Sequence, residues 1–228
     1  IFEDRNQSIW VSIGKALKRI DVKTQKLTQL PPEIETNETL KAANIRVIAQ
    51  SKNGELWFGT EGLGLFQYNS NTKLIKRHVH DINNSNSLPI NIVRTVFTNT
   101  DNQLWIGTRD GLSVLNINTN KFYNYKYNTF DSKSLSHNSI RCILKDRSGN
   151  IWLGTYAGGI NFYAAGSNNF TYIGQKNNGK LGLSHRVVSS ILADGNALWV
   201  GTEGGGLNYI DRKNLVTKSY VINSMQQN

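Results

Sequence analysis

The sequence predicts an all-β fold built from one unit repeated five times, and three observations carry that prediction. Trp10, Trp57, Trp105, Trp152 and Trp199 are all the tryptophans in the 228-residue chain, and they stand 47, 48, 47 and 47 residues apart. Their surroundings recur as well. Leu56-Trp57-Phe58-Gly59-Thr60 returns at 104–108, 151–155 and 198–202, each time followed by a glycine and an aliphatic residue (Gly64-Leu65, Gly111-Leu112, Gly159-Ile160, Gly206-Leu207). Finally, the hydrophobic fraction is a modest 38% while Gly, Asn, Thr and Tyr are plentiful, which suits many short strands joined by turns. Self-similarity at a fixed period of a few tens of residues marks a repeat architecture.

Within one repeat the elements follow in order. Ile140–Lys145 is a β-rich stretch, and Arg147-Ser148-Gly149-Asn150 is turn chemistry. Ile151–Thr155 makes a second strand and 156–159 a glycine-rich turn. Ile160–Tyr163 makes a third strand and Phe170–Ile173 a fourth. Four short antiparallel strands in a unit of this length is the β-propeller pattern. The expected blades are 1–36, 37–87, 88–134, 135–182 and 183–228. The first is degenerate: Ser12 and Ile13 replace Gly-Thr, and Ala16-Leu17 replaces Gly-Leu. Measured from its Trp, Ile1 matches Ile48, so this blade begins inside its inner strand. Each Trp is expected to fill the gap between neighbouring blades. Gly59, Gly107, Gly154 and Gly201 lie inside strands, where a close neighbouring backbone is the expected reason. Asn53-Gly54, Ser148-Gly149 and Asp194-Gly195 supply positive φ for the first hairpin of their repeats.

Composition limits the function classes. The net charge of +10 and pI near 9.7 make the surface attractive to anions. No apolar run reaches the ~20 residues of a membrane helix, and because Ile1 is not a native start, a removed leader stays open. Cys142 is the sole cysteine, so no internal disulfide forms. The chain holds no Gly-x-Ser-x-Gly, His-Glu-x-x-His or phosphate loop. A glycosidase needs two carboxyls facing one sugar. Here Asp101, Asp146 and Asp194 fall near the lower hairpins, while Glu61 and Glu203 lie above on non-adjacent blades. The segment therefore reads as non-catalytic, with no cofactor and no metal.

Ile-Arg-x-Ile-x-x-Asp-x-x-Gly-x-Ile-Trp-x-Gly-Thr-x-x-Gly-Gly-Ile, from Ile140 to Ile160, resembles the two-component regulator propeller repeat. The resemblance covers four clear copies and one weak one, and the Gly-His and Trp-Asp dipeptides of WD40 blades are absent. It implies a segment of a seven-bladed propeller, an autonomous five-bladed ring being the alternative. It further implies a periplasmic sensor of a hybrid two-component system of the Bacteroidetes type, with a membrane helix, kinase and DNA-binding domains elsewhere in the polypeptide. The implied ligand is an oligosaccharide breakdown product, and the implied full-length state is a homodimer. The positive charge favours an acidic sugar.

If the first strand runs downward, the turn between the second and third strands and the long inter-blade loops, Asp81–Ile92 and Thr129–Ser139, share the upper face. Long loops on a rigid scaffold commonly carry binding residues. Arg46, Arg94 and Arg141 each stand eleven residues before their Trp, at the start of the innermost strand, and blade five has Ser189 there after a one-residue deletion. A partial ring of guanidinium groups could hold a carboxylate or sulfate. In the scaffold reading of the same residues they bond loop carbonyls. The residue after each Gly-Thr varies (Glu61, Arg109, Tyr156, Glu203), and Tyr156 could stack on a sugar or cover its turn. His137 and His185 occupy matching Leu-Ser-His positions, read as turn caps at the rim of a ligand site. His78 and His80 alternate along one strand and read as surface residues. A second function class, a propeller scaffold for protein or nucleic-acid binding, rests on Lys121-Phe122-Tyr123-Asn124-Tyr125-Lys126-Tyr127, which mixes basic and aromatic residues as stacking platforms do. Its register makes it an outermost strand, where Lys blunts an exposed edge.

Overall fold

A computed structural model describes residues 1–100, 102–166, 169–176, 181–214 and 216–221. Their strands form five four-stranded sheets, each a meander in chain order. Blade one comprises β1 (Phe2–Glu3), β2 (Ser8–Ile13), β3 (Ala16–Asp21) and β4 (Leu27–Thr28). Blade two comprises β5 (Ile45–Gln50), β6 (Leu56–Thr60), β7 (Leu65–Asn69) and β8 (Leu74–His78). Blade three comprises β9 (Val93–Thr100), β10 (Gln103–Thr108), β11 (Gly111–Asn116) and β12 (Lys121–Tyr125). Blade four comprises β13 (Ile140–Lys145), β14 (Ile151–Thr155), β15 (Ile160–Tyr163) and β16 (Phe170–Ile173). Blade five comprises β17 (Val188–Asp194), β18 (Ala197–Thr202), β19 (Gly206–Asp211) and β20 (Val216–Tyr220). The strands read from the repeat at 140–173 coincide with β13 to β16. The chain divides into two compact units, Ile1–Asn124 and Tyr125–Asn228.

In the first unit Trp10 reaches across to blade two, where it meets Phe58 edge-on at 5.9 Å and joins Ile45, Leu56 and Phe66 in one core. Trp57 does the same toward blade three, packing with Val93, Leu104, Ile106 and Phe122. In the second unit Trp152 joins Val188, Leu198 and Val200 of blade five. Burying such a ring and its aliphatic neighbours is the main force holding one blade to the next. The strand glycines serve this packing through side chains, not through a neighbouring backbone as expected. A methyl group on Gly59 would fall 2.6 Å from Val47 Cγ1 and from Val93 Cγ1, and one on Gly154 would strike Cys142 Sγ and Val188 Cγ1. The inner strand of the same blade and that of the next blade both lean into the space a side chain would occupy. The hairpin glycines do adopt positive φ, 92° at Gly54 and 86° at Gly149.

Two elements depart from the sequence reading. Between blades one and two lie two single-turn helices, α1 (Pro32–Glu35) and α2 (Glu38–Lys41). Pro32 at the start of α1 and the Asn37 side chain, which accepts from Leu40 N–H at 2.9 Å, set their N-termini. They bury Ile34 and Leu40 against the Trp10 core. His78, read as a surface residue, is buried. Its ring stacks on Trp57, meets Phe122 edge-on and pairs through Nε2 with Gln67 Oε1 at 3.0 Å. β8 ends at His78, so the alternation expected to carry His80 onto the same face stops there, and His80 is exposed. Burial, and then the nearby Lys76 charge, lowers the His78 pKa from 6.5 to about 4.

Candidate functional site

The inner strands of blades two to five open with a β-bulge, which in blades two to four presents the recurring arginine. Pairing jumps from Ile45↔Thr60 to Val47↔Gly59 in blade two and from Val93↔Thr108 to Thr95↔Gly107 in blade three. It jumps again from Ile140↔Thr155 to Cys142↔Gly154 and from Val188↔Thr202 to Ser190↔Gly201. Arg46, Arg94, Arg141 and Ser189 are the skipped residues. A bulge twists the strand and re-aims the extra side chain, here at the end that carries the β6–β7-type turns. Two of these arginines meet carboxylates on those turns. Arg46 Nε lies 2.8 Å from Glu61 Oε2, and Arg141 Nη2 lies 2.6 Å from Glu203 Oε1. Arg109 stands exposed on the β10–β11 turn, its backbone N–H held by Ile92 O at 3.2 Å. Arg46, Arg94 and Arg109 belong to the first unit, and the other expected site residues to the second.

The second unit brings four of the expected residues into one group. Tyr156 is 48% exposed. The Arg141 guanidinium lies 5.5 Å from its ring centroid, and the His137 ring lies 6.3 Å away on a tilt. Glu203 closes the group through its ion pair with Arg141. His137 and His185 cap their turns as the repeated motif implies: His137 Nδ1 accepts from Ser139 N–H at 3.0 Å and His185 Nδ1 from Val187 N–H at 3.2 Å. With Nδ1 accepting, the neutral rings carry their proton on Nε2, directed away from the turn. Among the described residues no group of three His, Cys, Asp or Glu is placed to hold a metal ion.

A pair of buried asparagines fixes the loops beneath this group. Asn161 Oδ1 accepts from Ser136 N–H, and its Nδ2 donates to Ser136 Oγ, both at 2.9 Å. Ser136 Oγ in turn donates to Gly158 O at 2.9 Å. Asn208, Ser184 and Gly205 repeat the arrangement in blade five. Gly158 and Gly205 must be glycine here, because a Cβ would strike Ser136 and His137 in one case, Ser184 and His185 in the other. Asn161 and Asn208 each follow a Gly-Gly-aliphatic triplet. That shared position was the signal that could have identified them.

Of the carboxylates near the lower hairpins, Asp146 has structural work. Asp146 is buried and takes the Trp152 indole N–H at 2.9 Å, the Ser148 N–H at 2.9 Å, the Asn150 N–H at 3.0 Å and an ion pair from Arg212 of blade five. Burial acts to raise its pKa, but hydrogen bonds from Trp152 and Asn150 and the Arg212 charge outweigh it and hold the carboxyl below its ordinary value. Asp194 is exposed, and Asp101 lies outside the described residues. Cys142 is half-buried, and desolvation pushes its thiol pKa up to about 11, so it is not a ready nucleophile.

Comparison with known proteins agrees with the repeat pattern. The two-component regulator propeller family matches at residues 39–62 and 134–157. Histidine kinase P4 of Formosa agariphila is 31% identical over 113 residues, which is 48% of this chain and 8% of the kinase. The extracellular domain of the hybrid two-component system BT3049 from B. thetaiotaomicron superposes with a TM-score of 0.73 at 26% identity, covering 92% of this chain and 26% of that one. Virginiamycin B lyase from Staphylococcus aureus shares the fold, with a TM-score of 0.66 at 15% identity over 97% of this chain and 68% of the lyase. The chain thus spans a minor part of its two-component relatives. Among the described residues no helix is long and apolar enough to cross a membrane.

Proposed function

This chain carries two-component regulator propeller repeats, and on that premise we propose that it is a non-catalytic, ligand-sensing segment of a hybrid two-component sensor. In this reading it lies in the periplasm, takes an acidic oligosaccharide breakdown product, and signals across the membrane to a kinase within a dimeric receptor. The observation that carries the ligand class is the exposed Tyr156 ring with Arg141 over it, held on loops clamped by Asn161. A flat ring accepts a sugar face, and a guanidinium beside it pairs with a carboxylate. Glu203 keeps that guanidinium oriented until a ligand carboxylate takes its place. Two of the carboxylates weighed for a hydrolase are committed elsewhere, Asp146 to the blade interface and Glu203 to Arg141.

We also infer that further blades continue this array. Phe58, Ile106 and Val200 follow their Trp and are completely buried against the preceding blade, whereas Val11 at the same position is half-buried. Trp199 is likewise half-buried where the other four tryptophans are buried. These two faces match those that blades bury against one another.

Calorimetry of the chain with digalacturonic acid and with cellobiose tests the ligand reading. Tighter binding of the acid, with the preference lost in Arg141→Gln, is the expected result. Equal binding of the two overturns the acidic assignment.

A further inference from the structure

On the outer side of the Tyr156 turn, blade four carries an open pocket of about 530 Å³, within the ~300–1,000 Å³ range of small-molecule sites. Its walls are the Tyr127–Ser136 loop, the end of β16, and Gln175 and Arg186; Ala157 and Gly158 of the Tyr156 turn complete it. Tyr127 and Tyr172 both line it, 49% and 63% exposed. Tyr172 lies against the main chain of Gly174: a methyl group there would fall 2.7 Å from Cε2 and 3.1 Å from the hydroxyl. That backbone is fixed, since Leu183 N–H donates to Gly174 O at 2.9 Å and Lys176 N–H to Leu183 O at 2.8 Å. The opposite wall is fixed too, by Phe170 N–H on Lys133 O at 3.1 Å and by the Ser134 hydroxyl, which accepts from Asn128 N–H at 3.0 Å.

The arrangement departs from the repeat in blade four alone among the blades where the register identifies the position. In blade two the residues matching Tyr172 and Gly174 are Arg77 and Val79, and Arg77 folds back onto its own blade, donating to Leu63 O at 2.9 Å and lying over the Phe66 ring. In blade five they are Ser219 and Val221, with Ser219 bonded to Asn208. A scaffold role would repeat with the scaffold. A large exposed ring seated on a glycine, where blades two and five place neither, leaves apolar surface in water, and such surface marks a binding site.

We propose that this pocket is a carbohydrate subsite in which Tyr172 and Tyr127 take the apolar faces of pyranose rings, with the polar ends of Asp131, Gln175 and Arg186 around them to bond hydroxyl groups. The ligand class rests on the sensor reading above, and the pocket extends the Tyr156 group around its turn, so an oligosaccharide would contact both. Amphipathic rings held at low entropic cost, surrounded by adaptable hydrogen-bonding groups, suit a ligand with apolar ring faces and polar edges.

The test uses the whole chain with cellotetraose and tetragalacturonic acid, read by calorimetry and by saturation-transfer NMR. Tyr172→Ala removes the platform, and Gly174→Val displaces the ring while installing the residue that blade two already tolerates. Both should weaken tetrasaccharide binding by about tenfold or more with the thermal unfolding midpoint unchanged, and both should leave the acid-over-neutral preference intact. Arg141→Gln should do the reverse, losing the preference. Unaltered tetrasaccharide affinity in Tyr172→Ala and Gly174→Val overturns the subsite while leaving the Arg141 reading in place. Absence of saturation transfer from the unmodified chain to either sugar overturns both.

Discussion

Trp57 and Trp199 sit in the same five-residue phrase, on the same strand of their blades, yet they live in different surroundings. Trp57 is fully enclosed by Leu65, Leu88, Val93 and Leu104 on one side of β6 and by the His78 and Phe122 rings. Among the described residues the rings that meet Trp199 are those of its own blade, Tyr209 at 4.9 Å and Tyr220 at 6.2 Å, and it stays half-buried beside the exposed Leu192. The difference is the contact that Trp57 makes with Val93 and Leu104 of blade three. In a repeat protein the stability of each unit is its own folding energy plus a nearest-neighbour term, and here that second term is mostly what the tryptophan collects.

The contrast can be broken most directly by truncation. Trp57→Ala should cost about 3–5 kcal/mol, the usual loss for a large aromatic removed from a closed core, whereas Trp199→Ala should cost about half as much or less because its ring keeps water contact. Urea unfolding of the two variants measures the gap, and equal losses would mean that the following blade contributes little.

Next in size is the polar anchor of the indole. Trp152 donates to the buried Asp146 at 2.9 Å, whereas Trp57 donates to Ser51 Oγ at 3.3 Å. Asp146→Ala leaves the Arg212 guanidinium and two backbone N–H groups without their acceptor and should cost about 3 kcal/mol. Ser51→Ala should cost about 1 kcal/mol. Because the folded Asp146 carboxyl titrates below its unfolded value, its contribution is complete above the ordinary carboxylate range and is lost as pH falls through the lower folded value. Acid titration of the wild type and of Asp146→Ala, followed by denaturant midpoint, reads this directly.

A comparable effect of opposite origin comes from His78, whose place in blade four is taken by Ile173. The folded state keeps this imidazole neutral down to pH about 4, while the unfolded chain takes up a proton as pH falls below about 6.5. Stability should therefore decline by about 3 kcal/mol between those two values and level off below them. His78→Ile should remove that slope; a slope that persists would assign it to other groups. Smallest is the upper-face pair. Glu203→Gln releases Arg141 and should change stability by less than about 1 kcal/mol, while tightening the binding of digalacturonic acid if the two carboxylates compete.

Much of this was open to a reading of the residues alone, and its failures share one cause. The strand limits in blade four, the hairpin glycines and the turn-capping role of His137 and His185 all follow from local chemistry that four or five neighbouring residues decide. The burial of His78 does not, because the space it fills is made by Trp57 and by Phe122 of the next blade, 44 residues further on. The glutamate partners of Arg46 and Arg141 were assigned to the same face, but not to those arginines, since the bulge that turns each arginine toward its carboxylate is set by pairing across two strands.

The sequence by itself determined the repeat, its period, the order of four strands in each blade and the turns between them, because backbone geometry is chosen by short stretches of chain. Tertiary structure decided which side chains became buried, paired or presented. Asn161 became a clamp, Asp146 an anchor between blades, and Tyr172 an open ring on Gly174. Those outcomes depend on contacts between residues distant in sequence, whose energies are set by the separation and burial that only packing supplies.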